Sequence, residues 1–446
     1  MLDNRIKHRI MNNKDMSRSS AREKIVVIGG GFAGLNLVKK LDKKKFEVVL
    51  VDANNYHSFP PLFYQIASSG LDPSSISFPF RREMRKGKVK GVKYQMGKVE
   101  TIDFDRKEVK TQYESICYDK LVVAAGTTNN FFGNPDLVKS VYTIKSVPEA
   151  IRCRDEILER MECATITDDA EQRKKLLTFT VIGGGPTGVE IAGALGEMKR
   201  YILPREYPTI SPDELKIVII EGNNRLLGTM SEESSAKAEK YLNKLMVDVK
   251  LNQLMKSYED GVVTLGDGSQ FNGGMVIWTA GVTSQRFDMK GSGPELDRSG
   301  RFPVDSTCAV KGVKDVYALG DIAFMPSDEN PKGLPQLAQV AIQQARHLAK
   351  ELNKGELKEF RYKDKGSMAT VGRNLAVADL PHMHLSGFFA WLTWMFIHLI
   401  SILGMRNKIT VLITWIWAYC SYPTSLRLIM SPSRYPLKSG RKDGLV

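Results

Sequence analysis

The chain has 446 residues, of which 42% are hydrophobic, and carries a formal net charge of +14 at pH 7. This length allows two or three domains, and the hydrophobic fraction excludes a disordered protein. The positive charge suggests an anionic partner, either nucleic acid or a membrane surface. No recognisable nucleic-acid-binding module accompanies the basic run at 81–93, so we expect no nucleic-acid partner. We interpret that run as a solvated face that could add attraction to lipid.

The first 23 residues are basic and polar without an apolar run, which is not typical of a secretory signal. We expect a flexible leader over 1–23 and folded structure from about Lys24, with a transit-like segment or a misplaced start as alternatives.

The cysteines show no close pairing, which argues against a disulfide framework and fits a reducing compartment. The histidines show no metal-ligand spacing, and we expect no metal. The cysteines lie at positions 117, 153, 163, 308 and 420.

A glycine-rich turn follows the first predicted strand. Residues 24–34 read KIVVIGGGFAG and contain Gly29-x-Gly31-x-x-Gly34, and a helical pattern and a second strand, FEVVLVD, follow. That strand ends in Asp52. The glycines allow a tight turn and a close backbone approach, the helix N-terminus faces a pyrophosphate, and the carboxylate accepts from ribose hydroxyls.

The same arrangement recurs at 178–188, TFTVIGGGPTG, with Gly183, Gly185 and Gly188. Here the next strand, LKIVIIE, ends in Glu221. A carboxylate at this position repels a 2′-phosphate, so the sequence favours NADH over NADPH. Two further strands, at 118–128 and 274–284, each run into Ala-Gly and a small hydroxyl residue. We therefore predict an α/β fold with two Rossmann-like dinucleotide-binding domains, one inserted in the other.

This architecture resembles the two-dinucleotide-binding flavoproteins, which bind FAD in the outer domain and NAD(P)H in the inserted one. Within that superfamily the chain is most similar to type II NADH:quinone oxidoreductases, the single-subunit, non-pumping NADH dehydrogenases of respiratory membranes. The matching stretches cover nearly the whole of 24–400. They are IVVIGGGFAGL, VDANNYHSFPPLFYQIAS, VIGGGPTGVEIAGAL, ALGDIA, AQVAIQQA, GRNLAVADL and LSGFFAWLTW.

The resemblance implies non-covalent FAD, NADH as substrate and a quinone as acceptor. It assigns FAD contacts to residues from both ends of the outer domain: Gly29, Gly31, Phe32, Ala33, Gly34, Asp52, Val99, Ala125, Gly126, Asp321, Ala338 and Gln339. It assigns NADH contacts to the inserted domain: Gly183, Gly185, Gly188, Glu190, Glu221, Ala280 and Gly281. Many relatives carry a basic residue near the flavin where this chain has Ser386, which puts that one contact in doubt.

The predicted domains are the leader, an FAD-binding domain over 24–140 and 288–378, an NADH-binding domain over 141–287, and membrane-anchoring helices with a basic tail over 379–446. Three catalytic residues are expected. Glu190, in GPTGVE, would orient substrate or relay a proton, although an acidic residue in a first helical turn is also stabilised by the helix dipole alone. Gln339 and Gln343, four residues apart on one helix face, would donate to quinone carbonyls.

A solvated helix face is the alternative for the two glutamines. Gln344 points about 100° away along the helix and is expected to be structural. Their helix is predicted to begin near Pro335, a residue favoured at the first helical position, and to direct its positive end at the flavin.

The tail contains two apolar runs, at 387–404 and 409–420, and four of the five tryptophans of the chain. Tryptophans and flanking basic residues favour helices lying in the membrane interface. A transmembrane hairpin and a buried dimer interface are the alternatives. His398, in the first run, is expected to face its own helix or a lipid headgroup.

The absence of CxxxxC and CxxC motifs argues against glutathione-reductase-like and thioredoxin-reductase branches. Sulfide:quinone oxidoreductases use widely spaced cysteines, for which Cys163 and Cys308 are the candidates. A reductase with a ferredoxin-like acceptor and a non-catalytic NADH-binding flavoprotein also stay open as functions.

We expect a homodimer on the cytoplasmic face of a bacterial inner membrane, with the inner mitochondrial membrane as second choice. The sequence leaves open the quinone and the choice between ping-pong and ternary kinetics.

Overall fold

The structure is a computed structural model that describes residues 22–85, 87–421 and 426–429. The predicted leader and most of the basic tail lie outside these residues. The strands in chain order are β1 (Glu23–Ile28), β2 (Phe46–Asp52), β3 (Tyr56–Ser58), β4 (Ser77–Pro79), β5 (Lys93–Met96), β6 (Val99–Asp103), β7 (Glu108–Thr111), β8 (Ser115–Cys117), β9 (Lys120–Val123), β10 (Thr127–Asn129), β11 (Thr178–Ile182), β12 (Lys216–Ile220), β13 (Asp248–Lys250), β14 (Met255–Glu259), β15 (Val262–Leu265), β16 (Gln270–Asn272), β17 (Met275–Trp278), β18 (Val282–Ser284), β19 (Asp288–Lys290), β20 (Phe302–Pro303), β21 (Val316–Ala318), β22 (Ala323–Phe324), β23 (Ser367–Gly372), β24 (Leu375–Leu380) and β25 (Met383–Ser386).

The α-helices of the described residues are α1 (Phe32–Lys40), α2 (Phe63–Ala67), α3 (Phe80–Glu83), α4 (Leu137–Ser140), α5 (Val147–Thr165), α6 (Ala170–Leu176), α7 (Pro186–Glu197), α8 (Leu203–Glu206), α9 (Glu232–Lys244), α10 (Ala338–Lys354), α11 (Gly387–Ser401) and α12 (Met405–Ser421). A π-helical turn, Met198–Ile202, continues α7. Short 3-10 turns, among them Gly320–Ile322, connect several other elements.

The first compact unit comprises Met1–Asn55 (described from residue 22), Arg81–Gly126 and Arg286–Arg361. Its centre is a parallel sheet of order β21-β9-β1-β2-β5, and α1 packs against α10. The β-branched runs of β1 and β2 are almost wholly buried, as expected for parallel strands covered on both faces. A four-stranded sheet, β19-β6-β7-β8, completes the unit together with the pair β20-β22.

The second compact unit comprises Tyr56–Phe80, Thr127–Gln285 and Tyr362–Val446, of which the last segment is described to residue 429 with a gap at 422–425. It contains a parallel sheet of order β13-β12-β11-β17, with α7 running from β11 toward β12. The antiparallel sheets β14-β15-β16 and β23-β24-β25 also belong to it. β23 and α7 make one of the most extensive element contacts in the chain.

Both units contain the strand–glycine loop–helix arrangement read from the sequence. The boundaries of the two compact units differ from those of the predicted domains. The units reflect packing between residues, whereas each predicted domain is defined by the ligand that it should bind. The unit of β11 and α7 also takes in residues 56–80 and the tail helices. The ligand-defined boundaries therefore stay a prediction.

The two apolar runs of the tail form α11 and α12, which are separated at Gly404. This glycine has φ of +80°, and a Cβ added there would lie 2.4 Å from the ring of Phe78. The second helix starts at Met405 and includes the charged residues before the apolar run, so hydropathy alone placed its start too late. No helix in the described part of the chain is both long and apolar enough to cross a bilayer.

Candidate active site

The first glycine loop (residues 29–34) is shaped for a close backbone approach. Gly29 has φ of +95°, and a Cβ there would lie 2.5 Å from the carbonyl oxygen of Ala124. A Cβ on Gly34 would lie 1.9 Å from the Gly29 carbonyl oxygen, whereas one on Gly31 would meet nothing within 4 Å. Two of the glycines are thus required by the protein's own packing. The open space at Gly31, at the N-terminus of α1, fits a pyrophosphate.

Asp52 lies at the end of β2, where the carboxylate of a ribose site is expected. Its Oδ2 accepts from the Gly30 amide at 2.6 Å and its Oδ1 from the Asn54 amide at 2.7 Å. Burial raises the pKa of Asp52, and these amide donors oppose the shift. The chain's own residues here fit the adenosine half of FAD.

The late glycine–aspartate turn is held between two helices. Gly320 has φ of +72°, and its Cα faces Ala33 of α1 and Ala341 of α10. Its amide donates to Oε1 of the buried Gln344 at 2.8 Å, and Gln336 Nε2 donates to the Asp321 carbonyl at 2.9 Å. Gln344 therefore has the structural role predicted for it, fixing the turn that carries Asp321.

The glycines of the second glycine loop (residues 183–188) make the same kinds of close backbone contact as those of the first. Gly183 has φ of +105° and lies against the backbone of Ala280, and a Cβ on Gly188 would lie 1.8 Å from the Gly183 carbonyl oxygen. Gly185 is the N-cap of α7 and faces open space. This loop fits a second dinucleotide.

Glu221 follows β12 directly. Its Oε2 accepts from the Gly184 amide at 2.6 Å, and its Oε1 accepts from the backbone amide and the side chain of Asn223. The carboxylate thus lies at the loop itself, where a 2′-phosphate would meet its charge.

The second unit also contains a cavity of about 170 Å³. It is lined by segments far apart in sequence: α2, α7 with its π-helical extension, β23, α11 and α12. Three tryptophans form much of its wall, and Glu190 and Glu197 of α7 contribute carboxyl groups. We call it the tryptophan cavity. Its lining is mostly apolar with a few polar groups, as in small-molecule sites.

Glu190 is 8% exposed and lines this cavity. Burial raises its pKa to about 8, opposed by the Thr370 amide and the indole N–H of Trp394. That indole nitrogen is itself buried, and no acceptor of the described residues lies at the distance and angle of a hydrogen bond. A carboxyl group with this pKa is mostly protonated at neutral pH and can give up a proton.

The expectation that Glu190 lies in the first turn of its helix is wrong. Helix α7 begins at Pro186, and its first turn contains no acidic residue. Glu190 is therefore one turn further in, where the helix dipole no longer accounts for it. Its environment is set by β23 and α11, which the sequence motif does not include.

The glutamine helix starts later than predicted. Helix α10 begins at Ala338, with the extended Leu337 as N-cap, so Pro335 is not its first residue. The Leu337 amide is bound to the Pro335 carbonyl, and the Gln336 side chain is bound to Asp321, which keeps the segment out of the helix. Gln339 and Gln343 are half-buried in the first two turns.

The other residues predicted to contact ligands lie at the ends of strands and at the start of a helix. Phe32 and Ala33 begin α1, and Val99 begins β6. Ala125 and Gly126 follow β9, and Gly126 has φ of +67°. In the second unit, Ala280 and Gly281 follow β17, and Gly281 lies against the ring of Phe132. Their ligand contacts remain predictions.

Several cavity residues had no signal in the sequence. Tyr64 and Gln65 of α2 line the cavity. They lie within a stretch that matches the family, but the sequence assigned no role to either residue. Trp394 and Trp415 were expected at a membrane interface but are 2% and 8% exposed. His398 faces its own helix: its Nδ1 contacts the Trp394 carbonyl, and burial lowers its pKa to about 4.

The cysteines considered for sulfide chemistry are poor nucleophiles. Cys308 is buried and Cys163 is partly so, and burial raises the pKa of both thiols. A thiol with a raised pKa carries little thiolate at neutral pH. All five cysteines are free.

Comparison with known proteins agrees with this geometry. A family model described as pyridine nucleotide-disulphide oxidoreductase matches residues 23–345, and one described as the NDH2 C-terminal domain matches 365–420. The type II NADH:quinone oxidoreductase NdhA of Mycobacterium tuberculosis is 33% identical over 91% of this chain and 89% of its own. The chain belongs to the type II NADH:quinone oxidoreductases. A second member from that organism, Ndh, is 34% identical over 90% of this chain and 89% of its own.

The solved structures agree on the fold of this family. The structure of NDH2 from Plasmodium falciparum in complex with NADH has a TM-score of 0.85 and 22% identity, and it covers 91% of this chain and 100% of that one. A sulfide:quinone oxidoreductase from Aquifex aeolicus shares the fold more loosely, with a TM-score of 0.66, 18% identity, and coverage of 86% of this chain and 92% of that one. The α/β, Rossmann-like flavoprotein architecture is thereby confirmed.

Proposed function

We propose that this type II NADH dehydrogenase oxidises NADH and reduces a membrane quinone without pumping protons. Bound FAD supplies the redox chemistry, accepting a hydride from NADH and passing two electrons to the quinone. The observation that carries the proposal is the pair of glycine loops, each with an acidic residue bound to its second amide. The names of the relatives at 33% and 34% identity support it.

The chain's residues divide this work. The first glycine loop and Asp52 hold FAD, the second and Glu221 hold NADH, and Gln339 and Gln343 donate to the quinone. Glu190 supplies a proton, because burial keeps it protonated near neutral pH. Reduction of a quinone by NADH takes up one proton in addition to the hydride, and Glu190 is a group that can supply it.

The test is an assay of NADH oxidation by the purified, flavin-loaded protein with and without a short-chain quinone, repeated with NADPH. We expect quinone-dependent turnover with a preference for NADH. Flavin reduction without turnover would indicate a non-catalytic NADH-binding protein. Turnover with ferredoxin in place of quinone would indicate a ferredoxin reductase. Turnover with sulfide in place of NADH would indicate a sulfide:quinone oxidoreductase.

The exposed side of α11 and α12 is the proposed membrane surface. Its large apolar side chains are all more than one-third exposed, and two basic residues, Arg406 and Lys408, lie where the helices meet. They are Phe388, Phe389, Leu392, Phe396, Ile400, Met405, Ile409, Leu412, Ile413, Ile416 and Trp417. An exposed apolar face of this kind, with adjacent basic residues, is suited to anionic lipid.

Three hydroxyl groups within these helices have their hydrogen bonds satisfied inside the helix, which lowers the cost of their burial in lipid. Thr393, Ser401 and Thr414 each donate to the carbonyl four residues earlier, at 2.6–2.8 Å. We place the enzyme on the cytoplasmic face of a bacterial inner membrane, as a homodimer. Light scattering in detergent tests the dimer, and protease protection in inverted vesicles tests the face.

A further inference from the structure

A directed chain of hydrogen bonds leads through the second unit to the tryptophan cavity. Trp415 Nε1 donates to Oε1 of Gln65 at 2.9 Å, and Nε2 of Gln65 donates to the Tyr64 hydroxyl at 2.8 Å. An indole nitrogen only donates, so it fixes which end of the Gln65 amide faces it. The amide nitrogen must then face Tyr64, whose oxygen accepts.

The hydroxyl proton of Tyr64 therefore has no acceptor among the described residues. Its oxygen is occupied as an acceptor, and no carbonyl or carboxylate of the described residues accepts from it. The side chain is 6% exposed and lines the cavity. Burial, together with the nearby Glu190 and Glu197, raises its pKa well above the ordinary value, with the Gln65 bond opposing, so the group stays protonated as a donor.

A second buried donor faces the same space. Trp394 is 2% exposed and lines the cavity, and its indole nitrogen meets no acceptor at full hydrogen-bond geometry. A buried donor without an acceptor costs about 1–3 kcal/mol. The Trp394 indole N–H acts on the Glu190 carboxyl, so the Tyr64 hydroxyl is the donor that is left for a ligand in this mostly apolar cavity. Such a site favours a flat, apolar ligand with an acceptor oxygen.

We infer that Tyr64 is a substrate-binding residue that donates a hydrogen bond to a quinone carbonyl in the tryptophan cavity, with Gln65 and Trp415 as positioning residues that set the direction of that bond. The inference rests on the proposed function and names one subsite of it. A cavity of about 170 Å³ accommodates a ring and not a whole ligand of the usual size, for which about 300–1,000 Å³ is typical. A quinone ring is a ligand of this size and chemistry.

The first test removes the hydroxyl alone. Tyr64→Phe should lower kcat/KM for a short-chain quinone about tenfold, as expected for one lost neutral hydrogen bond. The rate of flavin reduction by NADH in a stopped-flow instrument should be unchanged. Tyr118→Phe is the matched control, because Tyr118 is also a buried tyrosine, its hydroxyl has no hydrogen-bond partner among the described residues, and it lies in the first unit.

The second test reverses the direction of the chain while leaving the hydroxyl in place. In Gln65→Glu the carboxylate accepts from both Trp415 and Tyr64, so the tyrosine proton turns away from the cavity. This variant should lose quinone kcat/KM to the same extent as Tyr64→Phe, and the double variant should be no worse than either. A purely structural role for the chain would give additive losses.

The outcomes separate the inference from the function on which it rests. If the unmodified enzyme reduces no quinone, the proposed function fails. If it does so and Tyr64→Phe stays within twofold of it, the inference alone is overturned. If Tyr64→Phe fails to fold, as judged by flavin content and melting temperature, the decision rests on Gln65→Glu, whose unchanged kinetics would also overturn it.

Discussion

At the scale of single residues, Glu190 combines a buried position with a pKa raised to about 8. Glu190→Gln should lower quinone-dependent turnover by about 100-fold, the lower range for loss of a general acid or base. Turnover of the unmodified enzyme should fall as the pH rises through about 8, because the carboxyl then loses its proton. The variant should lack this fall, and a pH profile of kcat measures both.

The same shift affects stability. A carboxyl group whose folded pKa is above its unfolded value stabilises the fold below the unfolded pKa of 4.5, and this contribution is lost as the pH rises toward about 8. Glu190→Gln should flatten the dependence of Tm on pH in that window. Glu351→Gln, at another buried glutamate, controls for burial alone. Unaltered kinetics in Glu190→Gln would remove this residue from the mechanism.

We expect Glu221 to determine the choice between NADH and NADPH. Replacement by glutamine removes the negative charge beside the second glycine loop and keeps an acceptor for the Gly184 amide. We expect the ratio of kcat/KM for NADPH to that for NADH to rise at least tenfold, measured with quinone in excess. Glu259→Gln, at an exposed acid in β14 of the same unit, should leave the ratio unchanged. Equal ratios in both variants would contradict this assignment.

The glutamines of α10 should behave differently from one another. Gln339→Ala or Gln343→Ala is expected to raise KM for quinone about tenfold while sparing flavin reduction by NADH. Gln344→Ala removes the acceptor of the Gly320 amide and should instead lower flavin retention and Tm. Flavin content after gel filtration and the two half-reactions distinguish these effects. Loss of flavin in all three would make the pair structural.

The sequence predicted the position of a side chain best where one motif holds the whole interaction, while the roles of these residues toward their ligands stay predictions. Asp52 and Glu221 each bind an amide of the glycine loop that precedes their own strand, so the spacing of one motif predicted where these carboxylates lie. Tyr64 and Gln65 were not recognised, because their role depends on a tryptophan 350 residues away. No local pattern encodes such a contact.

At the scale of elements, the first glycine loop offers a matched pair of substitutions. Gly34→Ala places a Cβ 1.9 Å from a carbonyl oxygen and should destabilise the apoprotein by about 1–3 kcal/mol. Gly31→Ala meets nothing within 4 Å and should leave the Tm of the apoprotein unchanged. It should nevertheless weaken FAD binding, because the methyl group enters the space of the pyrophosphate. Full FAD affinity in Gly31→Ala would place the cofactor elsewhere.

Helix starts were the less predictable part of the fold. Leu337 stays extended before α10, because its amide and the neighbouring glutamine are bound outside the helix. In the tail, Gly404 sets the start of α12, and the charged residues that follow it are helical although they interrupt the apolar run. Both starts depend on tertiary contacts that periodicity does not record.

At the scale of the whole molecule, the charge of +14 and the apolar face of α11 and α12 predict binding to anionic vesicles. Phe389→Asp combined with Trp417→Asp should weaken vesicle binding at least tenfold, since each large apolar side chain contributes roughly 1.5–3 kcal/mol when buried. Ile166→Asp, at a side chain that is 78% exposed in the second unit, should have no effect. Vesicle flotation measures the binding, and equal flotation of all three proteins would exclude this face as the anchor.

The family and the duplicated fold were predicted from motifs spread over most of the chain, and relatives confirm them. What the motifs did not predict is the second role of the tail. Three of its four tryptophans line a cavity, and two of these, Trp394 and Trp415, are buried and not available to lipid. Hydropathy records that a side chain is apolar, but not whether protein or membrane covers it.

Helix α7 and strand β23 approach so closely that a Cβ on Gly193 would lie 1.8 Å from the Val371 carbonyl oxygen. The strand, and α11 behind it, thus form the cover over Glu190. This has a consequence for protein engineering. A shortened enzyme that ends before residue 365, made to dispense with detergent, would expose that carboxyl to water and return its pKa toward 4.5. Solubility obtained by truncation would therefore remove the proposed proton donor together with the proposed anchor.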